Sequence, residues 1–417
     1  MYGEIITIGD ELTSGRTLNL NARYAAGRLT AAGLRVNRIT SVGDNYPMVA
    51  EALKRAIKNS RFVIVTGGLG STEDDRTSEI VAKALNRPLR LNGKMFRLIE
   101  KHVEEMGAML TPSLEKMAWM PQGSRLLSPE GRACGFCLVE KGVRLYFLPG
   151  VPEQMRYLLD KVVIPELLSF WQIEAVRSRI LKVYGLSEPD LAEMFKNIEE
   201  RTGEVVLGFY PHFPEIHITL SLRGGDEVSV SNELDRVEAE IFDLIGSYIF
   251  AKDDETLEEV VGGLLRANGL TISVAESCTG GLVGHRITNV SGSSDYFQGG
   301  IICYSNSAKV NLLGVSEQIL KEHGAVSSPI AKQMAEGVRK ALGSDLGVSI
   351  TGIAGPTGGS ESKPVGTVFI GLCRGEEVIA RRYRFWGRRE QIKLQSATMA
   401  LDWIRRYVTD TPLLPGI

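Results

Sequence analysis

Short runs of β-branched and apolar residues recur along the chain. Between them lie stretches whose apolar positions return every three or four residues. EIITI (4–8), RVNRITSV (35–42) and FVIVT (62–66) read as strands, whereas NARYAAGRLTAA (21–32), MVAEALKRAIKN (48–59), TSEIVAKAL (77–85) and MFRLIEKHVEEM (95–106) read as helices. Such alternation predicts a mostly parallel sheet covered on both faces. CGFCLVE (134–140) and VRLYFLPG (143–150) predict a hairpin, and a helix from Pro152 to about Leu168 closes a first α/β domain over residues 1–170.

The pattern then changes. RSRILKVYG, a helix from SEPDLAEMF, VVLGFY, EIHITLSLR, a helix over NELDRVEAEIFDLI and SYIF give a β-α-β-β-α-β order. That predicts a small KH-like α+β domain over 171–252. The acidic KDDETLEE marks the next boundary, with Thr256 as N-cap and Glu259 three residues on. From 253 to 417 the α/β alternation resumes, with strands at TISVAE, GGIICYS, DLGVSIT, VGTVFIGLC and EVIARRYRF. Two loops echo each other: VIVTGGLGST (63–72) and GVSITGIAGPT (347–357) each read as a buried strand ending in Thr and a glycine-rich turn.

Composition narrows the class. Of 417 residues, 48 are Lys or Arg and 50 are Asp or Glu, so a net charge of −2 exerts no overall pull on nucleic acid. Five scattered cysteines form no disulfide framework. MYGEIITIGDEL lacks a basic stretch followed by an apolar one, and no run approaches the ~18 apolar residues of a membrane span. The expectation is a cytoplasmic protein that binds neither membrane nor nucleic acid.

TGGLGSTEDD (66–75) is the densest motif of the first half. Gly67, Gly68 and Gly70 let the backbone approach a phosphate, Ser71 and Thr72 add hydroxyls, and loop N–H groups would bind the anion. Asp74 and Asp75 are candidates for Mg²⁺ or a similar divalent ion; the alternative is that one of them caps the following helix. The loop is neither a P-loop nor a dinucleotide fingerprint. EKHVEEMGA (100–108) only superficially resembles a Nudix box. Cys134 and Cys137 read as strand residues, and His212 and His217, five apart, as structural. The middle module has no GxxG loop, GGDE (224–227) being the nearest stretch, so a spacer or dimerisation role fits it better than RNA binding.

SVAESCTGGLVGH (273–285) turns a strand into a helix at Gly280 and Gly281. Such a junction aims backbone N–H groups at a phosphate or an oxyanion, or simply lets strand and helix pack closely.

The segments IGDELTSG (8–15), Asn21–Ala22, SVGDN (41–45), TGGLGSTEDD and LPGVPEQM (148–155) carry a resemblance. On them the first domain resembles the molybdopterin-binding MogA/MoaB-like fold in the form carried by the CinA (competence/damage-inducible) family, with Ser71 standing where the family has Pro. AESCTGG, SGSSDYFQGGIICYSNSAK (291–309), HGAVS (323–327), TGIAGPTGG (351–359) and KPVGT (363–367) resemble the nicotinamide-nucleotide amidase domain of that family, and the whole chain its long form. The resemblance implies a bifunctional pyridine-nucleotide salvage enzyme. One half would hydrolyse nicotinamide mononucleotide without a metal, and the other ADP-ribose with a divalent ion. The alternative is a molybdopterin-like binding or scaffold protein without N-terminal chemistry. A homodimer is expected.

Amide hydrolysis needs a nucleophile, a base and an oxyanion site. The histidines sit in unhelpful settings, which leaves lysine, and Lys309 in YSNSAK is the best candidate. The resemblance likewise carries over Ser277, Tyr304 and Lys309 as the catalytic group, with Cys278 a bland neighbour. Phosphate and ribose would fall to Thr279, Gly280, Gly281, Ser293, Ser294 and the loop with Thr351, Gly352, Ala354 and Gly355. Arg389 would pair with phosphate, and Asn306 with the carboxamide.

Overall fold

The computed structural model describes residues 2–128, 130–131, 133–171, 176–196, 198, 202–224 and 227–416. Gly225 and Asp226 of the GGDE stretch lie outside them. The chain divides into two compact units, Met1–Arg177 with Arg223–Val230, and Ser178–Leu222 with Ser231–Ile417. The middle module therefore groups mainly with the C-terminal part rather than standing alone.

In the first unit, β1 (Tyr2–Ile8), β2 (Arg35–Val42), β3 (Phe62–Thr66), β4 (Arg125–Leu126), β5 (Phe136–Glu140) and β6 (Val143–Leu148) form one sheet in the order β2-β1-β3-β6-β5-β4. The first four strands of that order are parallel, and the β5–β6 hairpin is antiparallel, as expected. β3 is buried along its whole length, as a central parallel strand must be. Helix α1 (Leu20–Ala31) and a helical run from Pro152 to Trp171 bury Ala25, Leu29, Met155 and Leu158 with Ile5, Phe62 and Ile64 on one face. α2 (Tyr46–Asn59), α3 (Thr77–Ala84) and α4 (Gly93–Glu105) cover the other face with Val49, Leu53, Val81 and Met95. The helix expected from Pro152 is interrupted by a π turn over Leu159–Val163.

The middle module has β7 (Val176–Val183), α5 (Glu188–Phe195), β8 (Val206–His212), β9 (Glu215–Arg223), α6 (Glu227–Ile245) and β10 (Ile249–Lys252), with sheet order β8-β9-β7-β10. His212 and His217, distant in spacing, meet across the β8–β9 hairpin with ring centroids 4.1 Å apart. His217 pairs with Glu215 at 2.9 Å.

The C-terminal part opens with α7 (Leu257–Ala267), whose N-terminus carries the expected Thr256–Glu259 capping box. β11 (Ile272–Glu276), β12 (Phe297–Ile302), β13 (Leu346–Gly352), β14 (Thr367–Arg374) and β15 (Glu377–Arg384) form a sheet in the order β12-β11-β13-β14-β15. β11 lies between two parallel partners, and β14 and β15 complete the sheet antiparallel. Helices α8 (Leu282–Thr288), α9 (Asn306–Leu313), α10 (Ser328–Leu342) and α11 (Arg389–Val408) flank it.

Buried Asp402 on α11 pairs with Arg405 and Arg406, which also donate to the Ser247 carbonyl ahead of β10. Those bonds join the middle module to the C-terminal sheet. Among the described residues no helix is long and apolar enough to cross a membrane.

Candidate functional sites

In an open α/β sheet the carboxyl ends of the strands, beside a change in strand direction, are where loops converge on a ligand. β11 delivers Ser277 to such an end. All five of its residues are buried, and it leads directly into the turn 277–281. Gly280 (φ 63°) and Gly281 (φ 95°) make that turn in the left-handed region where L side chains are disfavoured. Ser277 is 8% exposed, and its N–H is tied to the Ile350 carbonyl at 2.9 Å.

Lys309 reaches this serine from the second turn of α9. Its side chain is 1% exposed, and its Nζ lies 3.0 Å from Ser277 Oγ, 2.8 Å from the Cys303 carbonyl and 3.3 Å from the Tyr304 carbonyl. None of its partners is a carboxylate. Burial without a counter-ion lowers its pKa, against a smaller opposing pull from Cys303, Cys278 and Tyr304. A neutral amine here can donate its two N–H bonds to the two carbonyls and accept the serine O–H. In that form the amine would be placed to take a proton from Ser277.

Cys278 is 5% exposed, and burial raises its thiol to about 12, so it is no thiolate nucleophile. Its backbone is more useful. The N–H groups of Cys278 and Thr279 have no acceptor on another described residue. They follow the nucleophile directly, where an oxyanion would be received.

Several expected binding residues are placed differently. The start of α8 is already filled: the Glu276 carboxylate, 1% exposed, accepts from Gly281, Val283 and Gly284 N–H at 2.9, 3.1 and 2.8 Å. The Gly280 N–H goes to the Ser277 carbonyl at 3.2 Å. Neither glycine has an N–H to offer a phosphate, and the Thr279 side chain is fully buried. Ser293 and Ser294 precede β12. That strand runs parallel to β11, so they sit at the opposite end of the sheet, about 20 Å from Ser277 for a six-residue strand.

Thr351 is buried and donates to the Ala325 carbonyl, and Ala354 packs in the core. Gly352 backs onto Cys278: a Cβ there would lie 3.1 Å from its sulfur. Tyr304 contributes its carbonyl to Lys309, whereas its exposed ring carries the hydroxyl to Arg389, 3.1 Å away. The hydroxyl therefore makes no bond that would relay a proton to the lysine. Arg389 also donates to the Gly355 carbonyl at 2.8 Å, so it spans the site rather than standing free in solvent. Asn306 is exposed at the first position of α9, one turn before Lys309. His285 is exposed on α8, away from this chemistry.

Sequence reasoning passed over two residues. Glu276 leaves no periodic signal, because a carboxylate ending a buried strand reads as a boundary. Lys393 follows Arg389 by four positions on α11, a spacing that puts both on one helix face.

The N-terminal loop is arranged otherwise. Gly67 (φ 111°) lies so close to β1 that a Cβ would stand 2.1 Å from the Ile8 carbonyl. Gly68, at φ 67°, abuts Thr77, whose hydroxyl donates to the Gly67 carbonyl at 2.9 Å. The N–H groups of Gly68, Leu69, Gly70 and Ser71 have no acceptor among the described residues. They border a cleft of about 830 Å³ that Asn19, Asn21, Asp44, Asp74, Met95 and Ile99 also line.

Thr72 and Asp75 are not free for ligands. The Thr72 N–H and hydroxyl donate to one oxygen of Asp75 at 3.0 and 2.5 Å, which closes the loop on itself; α3 starts after Arg76 without a side-chain cap, so neither Asp74 nor Asp75 caps it. Asp44, across the cleft, has its pKa raised chiefly by burial, with further contributions from the charges of Asp10, Glu11 and Asp74. Among the described residues no three His, Cys, Asp or Glu side chains are arranged to hold a metal ion. Asp44 and Asp74 still suit an ion shared with phosphate oxygens, since Mg²⁺ commonly takes only one or two carboxylates from the protein.

Comparison with known proteins finds three family matches along the chain. Family models match residues 4–169 as a "Probable molybdopterin binding domain", 178–251 as "Damage-inducible protein CinA KH domain" and 254–408 as "CinA C-terminal domain". A "CinA-like protein" of Geotalea uraniireducens is 42% identical over 403 residues, covering 96% of this chain and 96% of its own length. The chain belongs to the CinA family. A "Putative competence-damage inducible protein" of Caldicellulosiruptor saccharolyticus is 41% identical, covering 98% of this chain and 99% of its own.

Among solved structures, the competence/damage inducible protein CihA from Agrobacterium tumefaciens is 37% identical, covering 36% of this chain and 91% of its own with a TM-score of 0.35. The protein CinA with unknown function from Thermoplasma acidophilum is 35% identical, covering 39% of this chain and 96% of its own with a TM-score of 0.36. Membership fixes the domain types: a MogA/MoaB-like N-terminal domain, a KH domain and the CinA C-terminal domain.

Proposed function

We propose that this CinA-family chain is a nucleotide hydrolase whose C-terminal domain deamidates nicotinamide mononucleotide to nicotinic acid mononucleotide and ammonia. The observation that carries this reading is the buried Lys309 amine, 3.0 Å from Ser277 Oγ and without a carboxylate partner. Neutral Lys309 takes the Ser277 proton while Oγ bonds to the carboxamide carbon. The Cys278 and Thr279 N–H groups receive the oxyanion. The Lys309 ammonium then returns its proton to the departing nitrogen as the C–N bond breaks, releasing ammonia and leaving an ester on Ser277. Water, deprotonated by the same amine, cleaves that ester and restores the serine.

For the N-terminal domain we propose hydrolysis of a nucleotide pyrophosphate such as ADP-ribose. The free N–H groups of residues 68–71 would hold phosphate oxygens, and a divalent ion would be held by Asp44 and Asp74 together with the substrate. When bound, that ion supplies charge neutralisation at the phosphoryl group. The alternative is binding of such a ligand without chemistry.

The deciding experiment is ammonia release from nicotinamide mononucleotide with chelator present, for the intact chain and for Ser277→Ala. Release that disappears in the variant supports the serine amidase. No release from the intact chain removes the reading.

A further inference from the structure

The filled start of α8 leaves a question that the deamidation reading raises but does not answer: what recognises a phosphate at this site? The start of α8 is taken, because Glu276 occupies the N–H groups of Gly281, Val283 and Gly284, and the two N–H groups left in the turn, those of Cys278 and Thr279, follow Ser277 directly where the oxyanion would form. Thr279 is enclosed, and Ser293 and Ser294 are at the far end of the sheet.

Two cations from one face of α11 approach the nucleophile instead. Arg389 is tied to the Gly355 carbonyl and the Tyr304 hydroxyl, both neutral acceptors, with no carboxylate partner among the described residues. Lys393, one turn further on, has neither a hydrogen bond nor an ion pair among the described residues. Its Nζ stands 3.8 Å from the point where a Cβ on Gly280 would be. A half-buried amine with no counter-ion, beside a glycine that leaves room above the turn, is a site waiting for an anion.

We propose that Lys393, acting with Arg389, binds the phosphate of the substrate and makes the site selective for phosphorylated over unphosphorylated amides. Arg389, fixed by two neutral acceptors, orients the phosphate. Lys393 supplies the uncompensated charge. The inference rests on the deamidation reading for its substrate but not for its anion. Gly280 belongs to the same device, since any side chain there would enter the space the phosphate and amine share.

The test compares the full-length chain with Lys393→Met and Lys393→Arg. The kcat/KM for nicotinamide mononucleotide is expected to fall roughly 10- to 100-fold in Lys393→Met, the scale of a lost charge-assisted hydrogen bond. That for the unphosphorylated nucleoside, nicotinamide riboside, should stay within about twofold, and Lys393→Arg should recover most of the loss. Equal losses on both substrates, or no loss on either, overturn the proposal.

A second measurement does not depend on turnover. Acylation of the Lys393 amine, followed by peptide mass spectrometry, should be slowed at least severalfold by inorganic phosphate in the intact chain. If no deamidation is seen but Lys393 is protected, the reaction reading fails and the anion site stands. Lys393 left unprotected overturns the anion site, whatever the chain catalyses.

Discussion

The two halves use the same opening move and then part. Each ends a buried strand in a threonine whose hydroxyl is spent on a carbonyl of a neighbouring loop: Thr66 on Pro149 and Thr351 on Ala325. Beyond the N-terminal threonine the loop leaves four successive N–H groups unused beside a wide cleft. Beyond the C-terminal one, Ala354 turns into the core and Gly352 packs behind Cys278, so the loop becomes a wall. The first site offers backbone donors, an exposed carboxylate in Asp74 and a half-buried one in Asp44. The second offers buried side chains with altered acidity. A glycine-rich loop therefore does not announce a phosphate cradle; what decides is whether its N–H groups are left free.

The largest expected effect sharpens that contrast. Lys309→Met should reduce deamidation by on the order of 10²-fold or more, since among the described residues it is the basic side chain bonded to Ser277. In the intact chain the rate should rise with pH through a midpoint below the ordinary lysine value, because burial lowers the folded pKa and the neutral amine is the working form. The sign for stability agrees. Between the lowered folded value and the ordinary unfolded one, the unfolded chain binds the extra proton, so stability rises with pH across that window. Lys309→Met should lose that rise. A rate midpoint at or above ordinary lysine in the intact chain would remove the neutral-amine mechanism.

The next effect tests what holds the nucleophile. Glu276→Ala leaves three N–H groups at the start of α8 without their acceptor, in a setting where a buried unpaired donor costs about 1–3 kcal/mol. Urea unfolding should show a loss of at least that order, and the deamidation kcat should fall with KM little changed. Glu276→Gln keeps one acceptor oxygen and should lie between. Unchanged stability in the alanine variant would mean that the turn holds itself, and Glu276 would lose its positioning role.

How far the sequence carried this reading depends on the interaction at stake. Period-2 and period-3.6 patterns placed β1, β3, β11 and the helices around them, and Thr256–Glu259 marked a helix start to the residue. Ser277 and Lys309 were legible because few other residues could do the chemistry. The errors came where partners are chosen in three dimensions. Ser293 and Ser294 precede a strand whose direction puts them at the wrong end, and periodicity says nothing about direction. Tyr304 sits beside the site in sequence, yet its ring swings outward and only its carbonyl faces Lys309. Glu276 could not be foreseen as an internal cap. The capping alternative for Asp74 or Asp75 failed in the same way, because Asp75 turns back to Thr72 instead of forward to α3.

That pair supplies the smallest predicted effect and the cleanest separation of roles within the N-terminal cleft. Asp74 and Asp75 are adjacent in sequence and both line the cleft, but Asp74 is exposed, its acidity strengthened by the Thr72 hydroxyl and the Lys116 charge, whereas Asp75 accepts both the N–H and the hydroxyl of Thr72. Asp74→Asn should raise the divalent-ion concentration needed for half-maximal ADP-ribose cleavage by several-fold, with the unfolding midpoint unchanged. Asp75→Asn should leave that ion requirement within about twofold while costing about 1 kcal/mol, the usual scale of a weakened side-chain hydrogen bond. Titrating Mg²⁺ against rate, alongside thermal unfolding of both variants, separates them. If Asp75→Asn moves the ion requirement and Asp74→Asn does not, the metal belongs with Asp75, and the contrast between free backbone and committed side chains fails there.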